Sequence, residues 1–115
     1  MIIIFDFTQV ALIEKALLGG DCLNSGCVPS KALLKSARVA HMITKRAKEF
    51  GIEIEGDINI NFPQIMERMR RLRAEIAPHD SHEKVVSSGV DLFFGHAQFI
   101  SQDTIEVDGK RLKFS

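Results

Sequence analysis

What this sequence lacks narrows its class before any motif is weighed. It has no net charge: Lys and Arg together number 15, and so do Asp and Glu. That balance gives no general attraction to nucleic acid or to an anionic membrane. It has no basic leading segment. Met1-Ile2-Ile3-Ile4-Phe5-Asp6-Phe7 is apolar, but Asp6 interrupts it, and it falls far short of the ~20 apolar residues that span a bilayer. It reads as a buried strand. Without a secretion signal the expected setting is the reducing cytoplasm, where a purely structural disulfide is out of place. There are only 2 cysteines, and they lie close together, so they need another explanation. Internal repeats, low-complexity stretches and flexible linkers are also missing. What remains is a chain of 115 residues, 45% hydrophobic and 26% charged, which fits one globular domain.

Val10-Ala11-Leu12-Ile13 is a short apolar run ending in Glu14-Lys15, the pattern of a strand buried on both faces in a parallel sheet. Gly19-Gly20 mark a loop. Pro29 and Ser30 suit the first turn of a helix running to Phe50, with Leu33, Ala37, Ala40, Ala47 and Phe50 near one stripe and Gly51 as its stop. The alternation from Ile52 to Ile60 predicts a short exposed strand or an extended loop. Asn61-Phe62-Pro63 open a second helix, with Ile65, Met69, Leu72 and Ile76 at helical spacing and Pro78 to end it. Ser81 to Ser88 form a shorter helix stopped at Gly89. Val90 to Phe94 is a strand. Ala97–Ile100, Thr104–Val107 and Lys110–Phe114 form a small antiparallel meander, with Asp108-Gly109 as the last hairpin turn.

Four residues separate Cys22 from Cys27. In regular helix, Cα atoms five positions apart lie about 8–9 Å from one another, whereas a disulfide needs them within about 7 Å. A bridge therefore requires Leu23 to Gly26 to leave regular helix, which Asn24, Ser25 and Gly26 tolerate. So short a loop makes a weak staple but an easily reduced one. The positive end of the helix that follows, with Lys31 one turn in, is expected to lower a thiol pKa and hold a thiolate. Two free cysteines beside a loop remain the plain alternative. Zinc needs four ligands, and no His lies at finger spacing from this pair, so no resident metal is expected.

The flanking residues add a resemblance. Gly19-Gly20-Asp21-Cys22-Leu23-Asn24-Ser25-Gly26-Cys27-Val28-Pro29-Ser30-Lys31 closely resembles the signature of the pyridine nucleotide-disulfide oxidoreductases, the class I flavoprotein disulfide reductases that include dihydrolipoyl dehydrogenase, glutathione reductase and mercuric reductase. The likeness runs from about Val10 to the end of the chain. Arg70 to Phe94, with Ile76-Ala77-Pro78-His79-Asp80-Ser81, looks most like the branch related to mercuric reductase. The resemblance implies an α/β fold: a partial, Rossmann-like FAD-binding domain with long helices and a small meander, over residues 1–115. It implies FAD as cofactor and NAD(P)H as co-substrate. It makes Cys22 the interchange thiol that attacks substrate, and Cys27 the thiol facing the flavin as a charge-transfer thiolate. Lys31 stands near the reactive flavin edge. Glu14, with Lys15 beside it, ends the second strand, where an acidic residue accepts from a ribose hydroxyl. On its own Glu14 reads as a solvated strand end. Gly19 and Gly20 let backbone approach the cofactor. The implied acceptor is a small-molecule disulfide or mercuric ion, which soft thiolates at Cys22 and Cys27 would bind. The full-length family is homodimeric.

The chain departs from that pattern in places. The family opens with a strand and a Gly-x-Gly-x-x-Gly turn for the FAD pyrophosphate, whereas Met1 to Gln9 contain no glycine. Nicotinamide and interface domains, and the catalytic His-Glu pair, have no counterpart. The chain is therefore expected to be an FAD-domain fragment, an inactive remnant or one chain of a split enzyme. Arg68, Arg70, Arg71 and Arg73, with Glu67 and Glu75 beside them, read as a solvated helix face and not as a nucleic-acid site. His79 and His82 do not make a metal site. Phe93, Phe94, Met42, Met66 and Met69 read as packing residues.

Overall fold

The computed structural model describes residues 1–6 and 9–114, which form a mixed α/β arrangement. It divides into two compact units, Met1–Gly20 with Ile76–Ser115, and Asp21–Glu75. Phe7, the last residue of the expected first strand, lies outside the described residues.

The first unit holds both sheets. β1 (Ile2–Asp6), β2 (Gln9–Glu14) and β3 (Val90–Phe94) form one sheet with β2 in the centre. β2 runs parallel to β3, with Val10 opposite Val90 and Glu14 opposite Phe94. It runs antiparallel to β1, with Ile2 opposite Ile13. The sheet is therefore mixed, not wholly parallel as the apolar run suggested. β1 is also less buried than expected: Ile3 is exposed, because β1 lies at the sheet edge. In β2 only Ile13 and Glu14 are fully buried.

β4 (Ala97–Phe99), β5 (Thr104–Val107) and β6 (Lys110–Lys113) form the expected antiparallel meander. Its last turn is Asp108-Gly109, both at positive φ (45° and 83°), as a tight hairpin requires. Ile105 and Val107 from the meander join Ile13 in one buried cluster. Ala11, Phe93, Leu112 and Phe114 pack around it. Phe93 thus serves the core as expected, while Phe94 is exposed. α4 (His82–Ser87) also lies in this unit, capped by Ser81, whose Oγ accepts from the Lys84 N–H at 3.2 Å.

The second unit is helical: α1 (Gly20–Asn24) leads into it, followed by α2 (Cys27–His41) and α3 (Phe62–Ile76). The single helix expected from Pro29 to Phe50 is replaced by three segments. α2 starts two residues earlier and ends at His41, followed by a π-helical turn over Met42–Arg46 and a 3-10 turn over Ala47–Phe50. Thr44 lies in the wide turn, its hydroxyl donating to the Ala40 carbonyl at 2.8 Å, a bond that competes with the helix ladder. The expected stripe is only partly buried. Ala32 is buried and Leu33 half-buried, whereas Ala37 and Phe50 are exposed. Gly51 ends the run at φ 72° as foreseen. Ile52 to Ile60 is an exposed, extended loop and not a strand.

α3 matches its expected limits. Asn61 caps it, with Oδ1 accepting from the Gln64 N–H at 3.1 Å. Met69 is its buried residue, and Pro78 falls in the 3-10 turn Ala77–Asp80 that follows. Met66 is half-buried and Met42 exposed. Among the described residues no helix is long and apolar enough to cross a membrane.

Candidate functional site

The two cysteines face each other across a helix break. Cys22 lies in α1 and Cys27 is the first residue of α2, so with both thiols free regular helix is lost only at Ser25 and Gly26. Both the Ser25 and the Gly26 N–H donate to the Asp21 carbonyl, closing α1. Gly26 then accepts at its carbonyl from the Ser30 N–H at 3.0 Å, opening α2. Gly26 has no room for a side chain: a Cβ there would meet the Asp21 carbonyl oxygen at 2.9 Å. Glycine lets the two helices turn within hydrogen-bond distance of one another.

Cys22 and Cys27 are free and exposed. The Cys22 thiol is hydrogen-bonded to the Cys27 side chain, and this contact is the main reason its pKa is raised above the ordinary thiol value. Partial desolvation and the charge of a Cys27 thiolate push in the same direction, because a second negative charge beside the first is disfavoured. The Cys27 backbone N–H and the Lys31 ammonium oppose them. At Cys22 these two are outweighed by the neighbouring sulfur. Lys31 is exposed, one turn into α2.

α3 reaches this dithiol segment through two arginines. Arg73 donates from Nη2 to Asn24 Oδ1 at 3.3 Å, and Arg68 donates from Nη1 to the Ala32 carbonyl at 3.2 Å. The Arg73 Nε is buried without an acceptor. The arginine cluster is therefore not one solvated face. Only Arg70 and Arg71 fit that description, exposed and paired with Glu67 and Glu75 at 3.7 Å each. Residue type alone concealed the difference, although position carried it: Arg68 and Arg73 fall on the stripe of Ile65, Met69, Leu72 and Ile76, and the other two do not.

The remaining candidates lie in the first unit. Glu14 ends β2 and is only 4% exposed, unlike a solvated strand end. Its Oε1 accepts from the Ala16 N–H at 2.8 Å, and its Oε2 lies 3.9 Å from the Met1 ammonium. It lines a cavity of about 410 Å³ together with Leu12, Gly19, Asp80, Lys84 and Ser88, a volume within the ~300–1,000 Å³ usual for small-molecule sites. Lys15 is exposed. Gly19 and Gly20 have left-handed φ of 84° and 54° in the turn that leaves β2. A buried carboxylate on the wall of a cavity suits an acceptor for a vicinal diol, so the residues present fit the adenosine ribose of FAD. Among the described residues no group of three or more His, Cys, Asp or Glu is placed to hold a metal.

Comparison with known proteins returns one family from both sequence and structure. The chain is 32% identical over 105 residues to a dihydrolipoyl dehydrogenase of Acholeplasma laidlawii, covering 91% of this chain and 31% of the relative. It is 39% identical over 103 residues to that of Corynebacterium glutamicum, covering 89% and 21%. Among solved structures, LpdA from Mycobacterium tuberculosis superposes with a TM-score of 0.66 at 26% identity, over 92% of this chain and 24% of that one. The HOCl-induced flavoprotein disulfide reductase RclA from Escherichia coli, solved as a Cu(II) complex, gives 0.64 at 22% identity, over 90% and 20%, and shows the same fold. No family model matches the chain. The chain spans about a fifth to a third of the length of the curated relatives it matches. On these similarities it belongs, as a partial-length homologue, to the pyridine nucleotide-disulfide oxidoreductase family of flavoprotein disulfide reductases.

Proposed function

We propose that this chain carries the dithiol and part of the FAD site of a pyridine nucleotide-disulfide oxidoreductase. The observation that carries the reading is the tight corner at Gly26, which sets the free, exposed Cys22 and Cys27 on either side of one helix break. It supports a pair that interconverts between two thiols and a bridge. Reducing the bridge takes two electrons and two protons and yields the two thiols. Bound FAD would supply the two-electron link from NAD(P)H to that bridge.

The chain's own residues perform the second half of the exchange. As thiolate, Cys22 attacks one sulfur of a small-molecule disulfide, forming a mixed disulfide and expelling the other half as thiolate. Cys27 then attacks the Cys22 sulfur, re-forming the bridge and releasing the second half. Lys31 stabilises the thiolate by charge. Glu14 would accept from the adenosine ribose, with Gly19, Gly20 and Lys15 beside it. Mercuric ion is the second substrate class, because two adjacent exposed thiols form a soft pair for it. The setting we assign is the cytoplasm, and the assembled enzyme is a homodimer, as the family resemblance implies.

Two measurements test this reading. Oxidation with glutathione disulfide should convert the two free thiols to one intramolecular bridge, read by thiol counting and mass; a chain that forms no such bridge would overturn the dithiol assignment. FAD should associate with the chain, as read by flavin fluorescence, and Glu14→Gln should weaken that association about tenfold through loss of a charge-assisted hydrogen bond. Binding indifferent to Glu14→Gln would remove Glu14 from the site, and no association with FAD in both the chain and a reconstruction that restores the glycine-rich turn would remove the flavin assignment.

A further inference from the structure

We infer that Arg73 is a positioning residue for the dithiol: by holding Asn24, it keeps α1 where Cys22 can close onto Cys27, and so sets how favourable the bridge is. The inference rests on the dithiol reading above and extends it to a residue on another helix.

The geometry is specific. Asn24 is the last residue of α1 and lies between the two cysteines in the chain. Its side-chain oxygen accepts from Arg73 Nη2 across 49 residues of sequence. α1 has only five residues, too few to stand as a helix by its own hydrogen bonds. Its buried residue is Leu23, and its C-terminal end is closed by the two bonds to the Asp21 carbonyl. The Arg73 contact ties the Cys22 segment to α3. The second clasp, Arg68 on the Ala32 carbonyl, holds α2 on the far side of Cys27. α3 thus grips both halves of the broken helix, one on each side of Gly26.

Oxidation removes two hydrogens from the thiols and joins the two sulfurs, with a disulfide oxidant such as glutathione disulfide accepting the electron pair and leaving as two thiols. The equilibrium for that step depends on how restricted the reduced pair already is. A reduced segment held near the bridged geometry loses little freedom on closing, whereas a loosened one loses more. Arg73 acts on that difference. The Arg73 Nε, buried without an acceptor, shows that the guanidinium is held there although one donor goes unmet.

The test is a redox equilibrium on the full chain. The Cys22–Cys27 bridge is equilibrated in glutathione buffers, quenched, and scored by mass for wild type, Arg73→Met, Asn24→Ala, the double variant, and Arg71→Met. Arg71→Met removes an exposed charge from the same helix and leaves the Asn24 contact in place. Arg73→Met should weaken the bridge about tenfold, the order expected for one charge-assisted hydrogen bond, and Arg71→Met should change it less than twofold. Asn24→Ala should produce a similar loss without touching α3, and the double variant should add little to either, since both remove one interaction. Arg73→Lys, which keeps the charge but not the fork, should recover part of the loss. An unchanged equilibrium constant in Arg73→Met, or losses that simply add in the double variant, would overturn the inference. A wild-type chain that forms no reversible bridge at all would instead overturn the dithiol reading. Denaturant midpoints measured alongside separate the two roles, because an arginine that only supports the fold moves the midpoint and leaves the redox constant where it was.

Discussion

The two units bury their cores in different ways. In the first, Ile13, Ile105 and Val107 come from two sheets and meet in one cluster, surrounded by Ala11, Phe93, Leu112 and Phe114. In the second, the buried residues come one from each helix: Leu23 in α1, Ala32 in α2 and Met69 in α3. Strand ladders reinforce the first unit, whereas long-range side-chain bonds from Arg68 and Arg73 reinforce the second. The sheet unit is therefore built on strand pairing around one apolar cluster. The helical unit, which carries the cysteines, is held at fewer points. Redox chemistry that shifts a helix end by the difference between two thiols and a bond belongs in the second kind of unit, since segments with fewer buried contacts open and adjust more readily.

Three sets of measurements can break or sharpen that contrast. The largest effect is expected at Ile105, which is 0% exposed. Ile105→Ala should cost about 2–5 kcal/mol of stability in urea unfolding, and Met69→Ala in the helical unit should cost less. Equal losses at the two would break the comparison. Leu34, 66% exposed on α2, serves as the surface reference, and Leu34→Ala should stay within about 0.5 kcal/mol.

A middle effect is expected at Gly51, whose φ of 72° is left-handed. A Cβ there meets nothing within 4 Å, so Gly51→Ala should cost only the backbone penalty of about 1 kcal/mol. Hydrogen exchange should show that loss in α2 and its following turns. A loss appearing instead in the strands of the first unit would contradict the division into two units.

The smallest effect belongs to Asp103 in the meander. Hydrogen bonds from Ser101, then Thr104 and Lys113, hold its carboxyl down at about 2. Its folded value lies below the ordinary carboxyl value, so its stabilising contribution is present above about pH 4. It fades as pH falls through the folded value near 2. Amide exchange in β5 and β6 should accelerate across that window, and Asp103→Asn should flatten the dependence. An equal acceleration in α3 would mean that the acid response is not local to the meander.

Local signals in the sequence gave their elements well. Asn61-Phe62-Pro63 announced α3, Asp108-Gly109 the last hairpin, and Ser81 and Gly89 the ends of α4, because caps and turns depend on a few adjacent residues. Three features were not legible. The antiparallel partner of β2 is a matter of long-range pairing, and an apolar run does not encode its neighbour's direction. The π-helical turn after His41 contains the Thr44 hydroxyl, which competes with the backbone, and on such a bond periodicity is silent. The separate roles of Arg68, Arg70, Arg71 and Arg73 are set by a rotation of about 100° per residue, so four similar letters divide into two that pair with glutamates and two that hold other helices. The cysteine pair stood out by its motif, but the direction of the Cys22 pKa shift follows from the Cys27 side chain beside it, which spacing alone does not show.

Gly26 makes the motif between the cysteines a matter of mechanical clearance as well as chemistry. Its missing side chain is the gap through which one helix turns into the next. A library replacing it should collapse to a single tolerated letter even in a background where both cysteines have been changed to serine. The pair could lose its sulfur and the corner would still demand its glycine.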